Sequence, residues 1–102
     1  MLLARVVGTV VATRKDPRLE GKKLLIVKTM SPDGREDGAY YVAVDTVEAG
    51  PHETVLIVTG GSARMAAECK DRPVDTAIIG IVDSVCLDEQ PAAVAAASAS
   101  KR

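Results

Sequence analysis

Arg72-Pro-Val-Asp-Thr-Ala-Ile-Ile-Gly-Ile-Val-Asp-Ser-Val85 is the stretch on which the fold turns. Pro73 cannot continue a helix and biases Arg72 towards an extended backbone. From Val74 to Val82 every residue except Asp75 is β-branched or small, which predicts a strand. A strand half-exposed to water alternates apolar with polar residues, and this one is apolar on both faces. Thr76, Ile78, Gly80 and Val82 fall on one side, and Ala77, Ile79 and Ile81 on the other. A chain of 102 residues has material for one small core. One face of the strand is expected in that core. The other is expected to need a different cover, and a neighbouring subunit is the simplest.

The start of the chain echoes this strand. Leu2 to Thr13 reads as a first strand, with Ala4, Val6, Gly8, Val10 and Ala12 on one small apolar face. Val6-Val7-Gly8 parallels Ile78-Ile79-Gly80. A glycine inside a strand marks a bend or a close backbone approach. Two of them suggest a small, strongly coiled barrel in which the first and last strands meet.

Between these strands lie a charged loop from Arg14 to Lys22, broken by Pro17 and Gly21, and a hairpin. Leu24 to Met30 and Tyr40 to Val44 are its strands, and Ser31-Pro-Asp-Gly34 is its turn. A loop from Asp45 to Glu53 leads to a fourth strand, Thr54 to Thr59. Gly60-Gly61 ends that strand, and Ser62 is placed to cap a short helix reaching Cys69. After Val85 the chain runs into an Ala/Ser-rich segment whose side chains are too small to pack firmly. The expected architecture is all-β: a five-stranded OB-like barrel over residues 1–87, one short helix between strands four and five, and a disordered tail over 88–102. The usual OB order has its helix between strands three and four, so the helix position is unusual.

Composition narrows the function. There are 13 basic and 14 acidic residues, a net charge of −1, and no basic excess of the kind a bare nucleic-acid or anionic-membrane binder carries. Trp and Phe are absent, and Tyr40 and Tyr41 are the only aromatics, so the core must be aliphatic. Cys69 and Cys86 form no CxxC pair and read as two reduced thiols rather than a disulfide or metal site. The N-terminus lacks the basic-then-apolar pattern of a signal peptide, and no run approaches membrane-spanning length. The expectation is a soluble, cytoplasmic protein.

No set of residues invites chemistry. Asp75 and Asp83 share a strand face but stand eight residues apart, roughly 26 Å at about 3.3 Å per residue, too far to act as a pair. Together with Asp45 they read as strand-end carboxylates that cap nearby N–H groups or pair with Arg64 or Arg72. His52, the only histidine, sits beside Pro51 with no second His or Cys at ligand spacing. Gly60-Gly61-Ser62 resembles an anion-cradling turn but lacks the Lys-Ser/Thr of a phosphate loop. No catalytic, cofactor-binding or metal residue is assigned, and the chain is not read as an enzyme.

Four blocks, in order, carry a family resemblance. They are Arg5-Val-Val-Gly-Thr-Val-Val-Ala-Thr13 with Lys15; Leu19-Glu-Gly-Lys-Lys-Leu-Leu25; Ala43-Val-Asp-Thr-Val-Glu-Ala-Gly50 with Glu53-Thr-Val-Leu56; and Gly60-Gly-Ser-Ala-Arg64 with Arg72-Pro-Val-Asp-Thr-Ala-Ile-Ile-Gly-Ile-Val-Asp83. The chain resembles the EutN/CcmL family, pentameric vertex proteins of bacterial microcompartment shells. The resemblance implies a homopentamer in the cytoplasm that caps the corners of a polyhedral shell. Its partners would be copies of itself and hexameric or trimeric shell proteins, with no nucleic acid, membrane or cofactor. A flat hexagonal layer cannot close, and five-fold units supply the missing curvature. A five-fold ring is head-to-tail, so each subunit presents two different surfaces.

On that reading Gly80 faces into the barrel while Ala77, Ile79 and Ile81 pack the neighbour, with Arg64, Arg72 and Asp75 as polar interface residues. Gly60, Gly61 and Ser62 are placed at the five-fold axis or an interface loop. Lys15, Arg18, Lys22 and Lys23 form a basic rim, open to solvent or meeting hexameric tiles. Three departures stand out: Glu48 where the family often has Gly, Pro51-His52 where small or polar residues are usual, and Met65-Ala-Ala after Arg64. The competing reading is an OB-like single-stranded nucleic-acid-binding module. It needs stacking aromatics and a basic groove, against which stand two tyrosines and the net charge of −1.

Overall fold

The computed structural model describes residues 1–13, 15–66, 69 and 74–88. Five strands, β1 (Leu2–Val10), β2 (Lys23–Thr29), β3 (Tyr40–Asp45), β4 (Thr54–Thr59) and β5 (Thr76–Val82), close into a barrel in the order β1-β2-β3-β5-β4. The pairs β1–β2, β2–β3, β1–β4 and β4–β5 are antiparallel. β3 and β5 run parallel through Val44 opposite Ala77 and Asp45 opposite Ile78. The barrel is therefore closed as expected, but not where expected. The first and last strands do not meet; β1 lies between β2 and β4, and β5 between β3 and β4. A parallel pair cannot be joined by a tight turn, so β5 reaches β3 only after β4 and the segment beyond it have crossed over.

Both glycine-bearing strands carry a break in register just before the glycine. Along β1, Val6 lies opposite Val27 and Gly8 opposite Ile26, which leaves Val7 as an extra residue. Along β5, Ile78 lies opposite Ile57 and Gly80 opposite Leu56, which leaves Ile79 as the extra one. Each is a β-bulge, and a one-residue bulge exchanges the two faces of the strand beyond it. Strict alternation therefore fails at both sites. Gly80 does not face the barrel interior; it shares the outer face with Leu56, whose neighbours Val55 and Ile57 are core residues. Gly8 likewise turns outward beside Ile26, and the inner face expected from Ala4 through Ala12 is real only as far as Val6.

Two clusters hold the fold. The barrel interior is filled by Ala4, Val6, Leu25, Val27, Ala43, Ala49, Val55, Ile57 and Ile78, with Tyr41 and Val47 packed at its margin. These are small or β-branched residues apart from Leu25 and Tyr41, as a narrow lumen without Phe or Trp requires. The second cluster lies outside the barrel, where Val44, Ala63, Cys69, Val74 and Ala77 come together with Leu19, Leu24, Val58, Ala66 and Ile79 against them. This outer cluster supplies the second cover that the doubly apolar β5 needs, and it comes from the chain itself.

The connection after β4 is a 3-10 helix, Gly60–Met65, with the left-handed φ of 66° at Gly60 and Gly60 N–H donating to the Asp75 carbonyl at 2.8 Å. Thr59 stands at its N-cap without a side-chain capping bond, so Ser62 is not the cap expected of it. The helix stops at Met65, with Ala66 already extended at ψ 160°, short of the expected end at Cys69; residues 67 and 68 of that span lie outside the described residues, as does the tail beyond Asp88. β1 ends at Val10 rather than Thr13, where its pairing with β2 stops at Leu24. In the β2–β3 hairpin, Gly38 N–H donates to the Thr29 carbonyl at 3.2 Å and Ala39 N–H to Thr29 Oγ1 at 2.9 Å, so the chain presses against β2 where only a glycine fits.

Candidate functional site

A small barrel with a filled interior has only its outer walls and end loops to offer. Three regions of that surface are built with care.

The first is the loop between β3 and β4. The Asp45 side chain, 1% exposed, accepts from Val47 N–H at 3.0 Å and Ala49 N–H at 2.9 Å. Lys23 Nζ lies 4.0 Å from that carboxylate and donates to the Ala49 carbonyl at 3.3 Å. Thr46 Oγ1 donates to the Ile78 carbonyl at 2.7 Å, which ties the loop to β5. At the far end His52 N–H donates to the Val6 carbonyl, and Arg5 Nη1 to the His52 carbonyl at 2.8 Å. Arg5 Nε also meets Glu36 Oε2 at 2.7 Å, so one guanidinium joins this loop to the β2–β3 connection. Glu48 and His52 hold left-handed φ values of 58° and 66°, a conformation that favours glycine. Asp45 thus does what a strand-end carboxylate was expected to do. Beside it lies an open cleft of about 450 Å³ lined by Gly21, Lys22, Lys23, Asp45, Thr46 and Glu48. Asp45, the buried acid of this cleft, is already committed to the loop backbone.

The second region is the basic loop. Asp16 caps a short 3-10 turn, Pro17–Leu19, by accepting from Arg18 N–H at 2.8 Å. Its carboxylate also holds the Arg18 guanidinium at 2.8 Å. The side-chain hydrogen bond from Arg18, helped by the backbone bond, lowers the Asp16 pKa to about 2, and Arg18 is raised in turn by Asp16. Lys15 Nζ donates to the Ala12 carbonyl at 3.4 Å. The rim is therefore partly held in place by the chain's own acids and carbonyls.

The third region is the flank of β5, where the expected interface residues are dispersed. Ala77 is fully buried in the outer cluster with Ala63 and Cys69, so it has no surface to give a neighbour. Ile79, the bulged residue, packs partly against that cluster. Ile81, opposite the core residue Val55, turns to the inner side beyond the bulge and is 39% exposed. Arg64 and Asp75 are exposed, and among the described residues neither forms an ion pair. Arg72 lies outside the described residues. Gly60, Gly61 and Ser62 are exposed on the 3-10 helix beside Arg64 and Asp75. Among the described residues no group of three or more His, Cys, Asp or Glu side chains converges on a possible metal position, and no helix is long and apolar enough to cross a membrane.

Sequence reasoning missed the exposed apolar residues of the hairpin. Val42 is 51% exposed, and Tyr40 stands in the open with the Lys28 ammonium 4.9 Å from its ring centroid. The alternation Tyr40, Val42, Val44 was the available signal, since Ala43 between them faces the core.

Known proteins share this barrel. Residues 1–83 match the family described as ethanolamine utilisation protein EutN/carboxysome. The carboxysome shell vertex protein CcmL of Synechococcus elongatus is 44% identical over 90 residues, covering 88% of this chain and 91% of that protein. The bacterial microcompartment shell vertex protein EutN of Escherichia coli is 46% identical over 85 residues, covering 83% and 90%. The solved structure of a GrpN pentameric microcompartment shell protein from Rhodospirillum rubrum superposes with a TM-score of 0.79 at 42% identity, covering 85% of this chain and 99% of that one. With a family match over residues 1–83 and relatives this similar over 90% or more of their length, the chain belongs to the EutN/CcmL family.

Proposed function

We propose that five copies of this chain form a head-to-tail ring that caps the vertices of a polyhedral bacterial microcompartment shell in the cytoplasm and lets the shell close. The observation that carries this reading is the shared barrel. A structure named as a pentameric shell protein matches 85% of this chain at a TM-score of 0.79. A lumen filled by the core side chains suits a tile better than a catalyst. The barrel domain is residues 1–87, with 88–102 appended as a tail.

Within the ring, Arg64, Asp75 and Ile81 are offered as subunit contacts, since each is exposed in the single chain, with Ile79 partly so. Gly60, Gly61 and Ser62 form the loop offered for the axis or the interface. The rim of Lys15, Arg18, Lys22 and Lys23 is offered to hexameric or trimeric shell proteins, through the weak and reversible charge pairing that assembly needs. The nucleic-acid reading keeps only the OB-like shape in its favour. Its stacking platform reduces to one exposed ring, Tyr40.

Native mass spectrometry of the full chain tests the ring. A species of five copies is expected; a monomer across the micromolar range would count against it.

A further inference from the structure

The barrel is closed by its shortest ladder. β3 and β5 pair only through Val44 opposite Ala77 and Asp45 opposite Ile78, whereas β3 pairs with β2 along its whole length, from Tyr40 to Asp45. The first half of β3 therefore has a free edge beside the entry to β5. The direction of that edge follows from the alternation of an antiparallel ladder. Thr29 N–H donates to the Ala39 carbonyl at 2.9 Å, so Ala39, Tyr41 and Ala43 turn their N–H and C=O groups towards β2. Tyr40 and Val42 turn theirs the other way, into the seam. On the facing side the Asp75 carbonyl accepts from Gly60 N–H, so Val74 and Thr76 also aim their backbone groups at the seam.

The seam is apolar as well as open. A groove of about 200 Å³ lies there between Val42 and Val44 of β3 and the Val74-Asp75-Thr76 entry to β5, with Leu19 and Leu24 completing it. Among the described residues Asp75 is the one charged side chain that lines it, and it forms no ion pair among them. An open strand edge beside an apolar groove takes an extended segment as an added strand.

The end of the chain has the pattern of such a segment. In Ala97-Ser-Ala-Ser-Lys-Arg102, beyond the described residues, Ala97, Ala99 and Lys101 share one face of an extended backbone, and Ser98, Ser100 and Arg102 the other. We propose that residues 97–102 lie along the free edge of β3 in the same chain, antiparallel to it, with Ala97 and Ala99 in the groove and Lys101 towards Asp75. Direction, reach and charge each favour this occupant. A segment returning from the end of β5 runs against β5, and β5 is parallel to β3, so the segment meets β3 antiparallel, the better-bonded pairing. The way back from Val82 to Thr76 is roughly 20 Å, and the stretch from Asp88 to Ala97 spans roughly 30 Å, at about 3.3 Å per residue. Val44 opposite Ala77 sets Val42 level with Asp75, so the residue two beyond Ala99 on the same face brings its ammonium to that carboxylate. Side chains too small to pack a core are the ones a shallow groove admits. Each contact is weak, and tethering on the same chain supplies the effective concentration that lets it form. The docked segment covers an edge that otherwise invites strands of other molecules. None of this depends on the ring proposed above.

Amide hydrogen exchange of the full chain, resolved by residue with NMR, tests the docking. Val42 N–H is the reporter, and Ala43 N–H, which faces β2, is the internal control. Ala99→Asp alters no residue of the barrel and puts a charge into the apolar groove. It is expected to speed exchange at Val42 about fivefold and to leave Ala43 unchanged. Lys101→Glu is expected to act in the same direction through Asp75, and adding Asp75→Lys to restore the protection. In a sample mixing labelled and unlabelled chains, nuclear Overhauser cross-peaks between the Ala99 and Val42 methyl groups are expected within one copy. Equal exchange at Val42 in wild type and Ala99→Asp overturns the proposal and leaves the seam open to a strand from another protein. Cross-peaks only between different copies overturn docking within the chain and give the seam to a neighbour's tail. No restoration by the charge exchange overturns the pairing of Lys101 with Asp75.

Discussion

Leu56 on β4 lies directly opposite Gly80 on β5, while the next residue of β4, Ile57, lies opposite Ile78. The residue passed over, Ile79, is a bulge, and the outward turn of Gly80 depends on it. A methyl group at Gly80 would meet Leu56 Cδ1 at 3.6 Å, an ordinary contact, whereas one at Gly38 would collide with the Thr29 side chain and stand 2.8 Å from the Thr29 carbonyl. Gly80→Ala is therefore expected to change the stability of the chain by less than about 1 kcal/mol. Gly38→Ala is expected to cost about 1–3 kcal/mol by overpacking, and Thr29→Ala to relieve only part of it because the carbonyl remains. Urea unfolding of the three variants checks the order.

Glu48 stands in the left-handed region at φ 58°. A side chain there costs about 1–2 kcal/mol, and glycine gives back about 0.5–1 kcal/mol of that in chain entropy. Glu48→Gly is expected to stabilise by roughly 0.5–1 kcal/mol, and Glu48→Ala to bring no such gain. The comparison of the two denaturation midpoints isolates the backbone effect from loss of the carboxylate.

Asp45 carries the β3–β4 loop through two backbone N–H groups from a side chain that is 1% exposed. Asp45→Ala removes both acceptors and is expected to cost about 1–3 kcal/mol, with Asp45→Asn, which keeps one acceptor oxygen, costing less. Hydrogen exchange is expected to quicken first at Val47 and Ala49. Equal protection in wild type and Asp45→Ala would contradict the loop's dependence on this carboxylate.

Asp16 is held to a pKa of about 2 by its hydrogen bonds to Arg18. A carboxylate depressed in the folded state adds stability above its ordinary value of 3.8 and loses that contribution as pH falls through about 2. Arg18 is exposed and Asp16 only half-buried, so the effect on stability is small and the titration itself is the readout. Carboxyl NMR is expected to give a midpoint near 2 for Asp16, moving up towards 3.8 in Arg18→Gln. An unchanged midpoint would remove Arg18 as the cause.

The sequence carried the strands and the barrel more readily than their neighbours. The fourth strand is the plainest case, with Thr54–Thr59 bounded by Glu53 and Gly60-Gly61. Period-two reading failed past Val7 and Ile79, because a bulge shifts register without changing residue chemistry. The glycines of Val6-Val7-Gly8 and Ile78-Ile79-Gly80 do mark equivalent local geometry, but they lie on opposite walls instead of closing the barrel together. The parallel pairing of β3 with β5 is non-local and leaves no turn signature to read. The second cover for β5 was sought in a neighbour and comes from Ala63, Cys69 and Val74, small residues whose packing depends on how the crossover folds back. Glu48, noted as a departure from the family's glycine, has a physical reading in its backbone angle.

Vertex capping is the central claim, and shell closure measures it most directly. A hexameric shell protein expressed with this chain, and without any other vertex protein, is expected to form closed polyhedral shells under the electron microscope. The same hexameric protein without this chain is expected to form open sheets, tubes or shells missing their corners. Equally closed shells with and without this chain would contradict the claim.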